Sequence, residues 1–138
     1  MKRILLFAAI VMLLGSELLA QVQPYHVVFD VTSADTIVHQ RVIRMINLII
    51  STNPEAKIEV VYYGMSLNMI VQEKSSVSNA VQKLAAEKKA SFVVCEQAMK
   101  VHKIEKSQLL TGVTTVPDGI YELVQKQAAG YGYIKVSY

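Results

Sequence analysis

The strongest constraint on this chain is an alternation. Five short runs dense in β-branched and aromatic residues are separated by segments whose apolar residues recur at helical spacing. The first run, "YHVVFDVTS" at residues 25–33, is almost continuously apolar, as a strand buried on both faces must be. In residues 35–51, Val38, Val42, Met45, Ile46 and Ile49 fall on one helical stripe, with Ser33 or Asp35 as N-cap and "TNP" ending the run. "KIEVVYYG" reads as a second strand closed by Gly64, and "SSVSNAVQKLAAEKKA" as a helix with Val77, Val81 and Leu84 on one face and lysines in its last turn. "SFVVC" is a third strand, followed by a short helix through Met99 and Val101 and a further turn near Leu109 and Leu110. "GVTTV" is a fourth strand. "PDGIYELVQKQAAG" is a helix with Pro117 in its first turn and Gly130 closing it, and "YGYIKVSY" is the last strand.

Strands alternating with helices, with connections long enough for crossovers, predict an α/β fold whose parallel sheet is covered by helices on both faces. At 138 residues, 52% hydrophobic and 18% charged, the chain suits a single domain with a substantial core.

"MKRILLFAAIVMLLGSELLA" has the three parts of an export signal: Lys2 and Arg3, an apolar stretch, and the small Ala20 at the cut. The expected organisation is therefore a signal peptide at 1–20 and one domain at 21–138, in an exported, periplasmic protein with no stable membrane association after cleavage. Leu18 is larger than usual at its place before the cut, which leaves a retained N-terminal anchor as the alternative. Gln21 is not a cysteine, so the segment does not read as a lipoprotein signal. Losing Lys2, Arg3 and Glu17 lowers the formal charge of +3 by one. The remaining lysines are scattered, without the basic stripe and interleaved aromatics that a phosphate backbone requires, so no nucleic-acid partner is expected.

In parallel sheets the ligand crevice lies beyond the carboxyl ends of the strands. Three stretches meet there, and they supply Thr32 and Ser33, Gly64 and Met65, and Cys95 with Glu96 and Gln97 as candidate site residues. Cys95 is the only cysteine, so an intramolecular disulfide is excluded. At a strand end before a helix, backbone N–H groups and the helix dipole favour its thiolate, whereas Glu96 adds opposing charge; Lys100 and His102 offset that charge only if they fold back. The bland alternative is a buried thiol serving as a small apolar side chain. His26, His39 and His102 lack metal-ligand spacing and read as surface or edge residues. Asp30 and Asp35 have no second carboxylate to work with. "DVTSADT" is similar to a flavodoxin-type phosphate loop but lacks its glycines. Tyr62 and Tyr63 belong to opposite faces, one in the core and one free to line a crevice or a subunit contact.

The strand and loop "VVYYG", the strand ending in Cys95 with Met99 four residues on, and the closing "TTVPDGIYELVQKQAAGYGYIKV", with Gln127, together resemble the DsrE/DsrF family of sulfur-relay proteins, in particular its exported single-domain members. The resemblance implies a three-layer α/β/α sandwich around a five-stranded, mainly parallel sheet, and assembly into homotrimers or homohexamers. It also implies that Cys95 is the nucleophile that carries sulfur as a persulfide between a donor and an acceptor protein, without a metal or organic cofactor. Glu96 and Gln97 stand where many relatives have a small residue and then Asn, Ser or Thr, and the ending is "YIKV" rather than "YIKP". Beside this carrier, two other functions fit the residues: a non-catalytic oligomeric module binding a small ligand or partner at the strand ends, and a cofactor-binding flavodoxin relative.

Overall fold

The computed structural model describes residues 24–137. Five strands, β1 (His26–Val31), β2 (Lys57–Tyr62), β3 (Ser91–Cys95), β4 (Val113–Val116) and β5 (Gly132–Val136), form one sheet in the order β4-β3-β2-β1-β5. Every pairing is parallel, so the sheet is wholly rather than mainly parallel. Parallel neighbours need crossover connections. Helices α1 (Thr36–Thr52), α2 (Ser78–Ala86), α3 (Glu96–His102) and α4 (Gly119–Ala128) lie in those connections. The signal assigned to residues 1–20 lies outside the described residues.

Local chemistry sets the helix ends. Asp35 caps α1, its carboxylate accepting from the Ile37 N–H at 2.6 Å. Pro117 does not sit in the first turn of α4 as expected; it precedes Asp118, which is the N-cap and accepts from the Ile120 and Tyr121 N–H groups at 2.8 and 3.2 Å. Beyond α4, Gly130 takes a left-handed φ of +86° and donates to the Gln127 carbonyl at 3.0 Å. A short 3-10 helix at Ser66–Met69, absent from the sequence-based expectation, brings Leu67 and Met69 into the core.

The two faces of the sheet are covered unequally. Phe29, Val31, Val60, Tyr62, Phe92 and Val94 pack against Val38, Val42 and Ile46 of α1 and Val81 and Leu84 of α2. Each such buried side chain contributes about 1.5–3 kcal/mol of transfer free energy, so most of the stabilisation lies on this side. The opposite face holds a smaller cluster, Val28, Val61 and Val93 under Leu123 of α4. Strand alternation puts Asp30 and Glu59 on that same, thinly covered face. His39 departs from its expected surface position: it is 1% exposed, and its Nε2–H donates to the Ser33 carbonyl at 2.9 Å, which satisfies the buried ring.

Candidate functional site

Cys95 ends β3 and is the N-cap residue of α3. It shares strand parity with Val93, so it belongs to the face that α4 covers. Its exposure is only 6%, yet among the described residues it is the one buried apolar residue outside both core clusters. The neighbouring space explains this. Cys95 lines a cleft of about 330 Å³ with Tyr63 and Gly64 after β2, Gln97, Ala98 and His102 on α3, and Asp118 and Ile120 at the start of α4.

The close approach of α4 depends on a missing side chain. A Cβ on Gly119 would lie 3.0 Å from the Cys95 Cβ, 3.3 Å from Val61 Cγ1 and 3.6 Å from the Tyr63 Cβ. Glycine thus lets the first turn of a ten-residue helix rest directly on the cysteine. Asp118 already accepts from the N–H groups of that turn, so its carboxylate is committed to the cap.

Tyr63 is anchored behind the cleft. Its hydroxyl donates to Asp30 Oδ2 at 3.1 Å, and Tyr133 donates to the same oxygen at 2.6 Å. Lys135 Nζ donates to Asp30 Oδ1 and to Thr32 Oγ1, each at 2.8 Å, and lies 5.6 Å from the centre of the Tyr63 ring. Asp30 is 3% exposed, and these three donors compensate a charge that would be costly to bury alone. Burial, followed by the Asp30 charge and hydrogen bond, pushes the Tyr63 phenol up to about 12. The Tyr133 phenol also rises to about 12, chiefly through its hydrogen bond to Asp30.

Of the residues predicted from sequence, Gly64 and Gln97 join Cys95 at the cleft. Gly64 makes the required turn with φ +60°, and a Cβ there would contact Thr32 at 3.6 Å. Thr32 joins the Asp30 network instead, and its carbonyl accepts from the Met65 N–H at 3.1 Å. Ser33 is occupied locally, its hydroxyl accepting from the Asp35 N–H at 3.1 Å. Met65 is 61% exposed and outside the cleft lining.

Glu96 differs most from expectation. Its carboxylate does not oppose the sulfur; Oε1 accepts from Lys106 Nζ at 2.9 Å and from Thr115 Oγ1 at 2.8 Å. The Lys106 and Thr115 hydrogen bonds hold its carboxyl below the usual carboxylate range. Glu96 and Lys100 line a separate cleft with Lys103 and Lys106, whereas His102 lines the one at Cys95. Sequence reasoning missed Asp30, Asp118, Ile120, Tyr133 and Lys135 as parts of this region. Cys95, Ala98 and His102 at i, i+3 and i+7 would have revealed the shared helical face of α3. Among the described residues, no group of three or more His, Cys, Asp or Glu side chains is arranged to hold a metal ion.

The sequence model of the DsrE/DsrF-like family matches residues 26–136. The fold is similar to that of MTH1491 from Methanobacterium thermoautotrophicum, a protein of unknown function: TM-score 0.76, 27% identity, 80% of this chain and 98% of that one covered. It is also similar to the ychN protein of E. coli, with TM-score 0.68, 10% identity, and 82% and 99% of the two chains covered. At that identity the second likeness concerns the fold alone. No curated protein matches the chain.

Proposed function

The chain belongs to the DsrE/DsrF-like family, and from that premise we propose that it is an exported sulfur carrier in which Cys95 accepts sulfane sulfur as a persulfide and passes it to an acceptor. The observation that carries this reading is the position of Cys95. A thiol at the carboxyl end of a parallel strand, outside both core clusters and lining a cleft, supports a role in chemistry over one in packing. Transfer requires one nucleophilic sulfur and a donor: the thiolate attacks a sulfane sulfur, and the donor's leaving group departs with the electron pair. No triad or redox partner is needed.

The proposal includes a homotrimer or homohexamer. In its support, Ile120, Tyr121 and Val124 on α4 are 61%, 61% and 55% exposed, an apolar strip larger than scattered surface residues require.

The test is intact-protein mass after exposure to a sulfane donor, comparing the wild type with Cys95→Ala. A reductant-reversible adduct on the wild type alone is expected. A second reading, a non-catalytic oligomeric binding module, draws on the 6% exposure of Cys95. Under it the native protein takes no adduct, and the thiol reacts only after denaturation.

A further inference from the structure

The shape of the Cys95 cleft bears on what form of sulfur is carried. Cys95, Ala98 and His102 lie along one face of α3, and all three line the cleft. Seven residues of helix advance about 10 Å, so the cleft is a groove rather than a hole over the sulfur. Along that helical face Cys95, beneath the first turn of α4, and His102 are the two ends with Ala98 between them, and Val101 and Ile120 add apolar lining. The side walls are apolar, and no lysine or arginine contributes to the lining; Lys100, Lys103 and Lys106 line the separate cleft that contains Glu96.

The one carboxylate on the groove, Asp118, is held by the Ile120 and Tyr121 N–H groups. The His102 side chain has no hydrogen bond or ion pair to the other described residues. Side chains on a helix lean toward its N-terminus, the end of α3 at which Cys95 lies.

We propose that this groove holds a chain of sulfur atoms on Cys95, so that the substrate class is an inorganic polysulfide rather than a small oxyanion donor, and that His102 receives the terminal sulfur. The inference rests on the carrier reading above. In the loading step the Cys95 sulfur attacks an inner sulfur of a polysulfide dianion. One S–S bond forms to Sγ and one breaks, and the electron pair leaves with the remaining fragment, which takes up the thiol proton; when three sulfur atoms of a tetrasulfide stay on Cys95, that fragment is hydrosulfide. The bound chain keeps one negative charge at its end, and no external oxidant or reductant is consumed. Three sulfur atoms beyond Sγ, at about 2 Å per bond and with dihedral angles of about 90°, span roughly 4 Å, which directs the terminal sulfur toward the end of the groove that His102 lines. Interior sulfur atoms of such a chain are uncharged and polarisable, which suits apolar walls. A compact oxyanion concentrates its charge on oxygen atoms that need hydrogen-bond donors, which apolar walls do not offer, whereas the charge of a polysulfide is carried on polarisable sulfur.

The test is intact-protein mass after incubation with inorganic tetrasulfide and removal of the excess, counting sulfur atoms on the wild type, Cys95→Ala, His102→Gln and Ala98→Met, with thermal melts to verify folding. The expected result is about three retained sulfur atoms on the wild type, none on Cys95→Ala, and a chain shortened to one on the other two variants. A single sulfur on the wild type overturns the chain and leaves the carrier intact. Equal chains on wild type, His102→Gln and Ala98→Met overturn the role of the groove. No adduct on the wild type removes the carrier reading itself. Because His102→Gln adds no bulk to the groove, it decides the matter if Ala98→Met does not fold.

Discussion

The Gly119 backbone and the Cys95 side chain are in near-contact: a methyl group on residue 119 would stand 3.0 Å from the Cβ of the cysteine. The first turn of α4 therefore acts as the roof of the thiol. Gly119→Val is expected to cost about 1–3 kcal/mol, the range for overfilling a packed site, and to speed alkylation of Cys95 by iodoacetamide as the roof lifts. Thermal melts and alkylation rates both unchanged would show that α4 does not control access to the sulfur.

Asp30 accepts from Tyr63, Tyr133 and Lys135, so Asp30→Asn is expected to cost about 2 kcal/mol at neutral pH through weakened charge-assisted hydrogen bonds. The same change should alter the phenols. Both are pushed up to about 12 in the folded protein, against about 10 for an unperturbed tyrosine. A raised folded value means stability that is fully present below pH ~10 and is withdrawn as pH rises through ~12. Urea midpoints of the wild type should therefore fall across that window, and those of Asp30→Asn should fall less. Ultraviolet titration of the phenolates, identical in the two proteins, would contradict the role given to Asp30.

At the other end of the sheet, Lys126 Nζ lies 2.7 Å from Glu59 Oε2, and Ser91 Oγ donates to the same oxygen at 3.1 Å. Glu59 is 6% exposed, and burial raises its carboxyl above the usual value against the opposing pull of Lys126. Lys126→Met leaves that carboxylate without its counter-charge, at an expected cost of about 3 kcal/mol. A raised carboxyl is most compatible with folding below its unfolded value and loses that contribution as pH rises through its folded one. The variant should consequently regain stability on acidification from pH ~7 to ~5 relative to the wild type. A constant difference between the two proteins over that interval would rule out this account.

Tyr62 provides a prediction of opposite sign. It is fully buried against Phe92, ring centres 6.4 Å apart, and its hydroxyl has no hydrogen-bond partner among the described residues. Burial raises its phenol well above the ordinary value. Tyr62→Phe keeps the ring and removes the unpaired group, so it should leave stability unchanged or raise it by about 1 kcal/mol. A loss of that size in a denaturant melt would mean that the hydroxyl has a partner in solution.

The order of strands and helices was legible in the sequence because it rests on local periodicity, which survives in any tertiary setting. Cys95 at the end of β3 followed from the same pattern, as did the opposite facing of Tyr62 and Tyr63. What was not legible depends on contacts far apart along the chain. Asp30 reads as an isolated charge in an apolar strand until β5 is placed beside β1, which sets it opposite Lys135. Glu96 follows the cysteine directly, and sequence adjacency suggested a charge beside the sulfur. Its side chain instead meets Lys106 and Thr115, because successive positions at the strand end point to opposite faces. His39 was misjudged for a related reason: the Ser33 carbonyl that satisfies its ring is exposed to it only once α1 has folded back over the end of β1.

The strand order also has a consequence for synthesis on the ribosome. β1 is an inner strand, but one of its two neighbours is β5, and the Asp30 and Lys135 that join them are 105 residues apart. As the chain emerges, β1 can pair with β2 early, while its other flank stays open until the last strand has been made. During that interval Asp30, with neither Tyr133 nor Lys135 available, is a charged residue on the unpaired margin of a nascent sheet. Charge at an open strand margin discourages pairing with other chains. The residue that later anchors Tyr63 behind the cleft thus lacks two of its three donors until β5 docks.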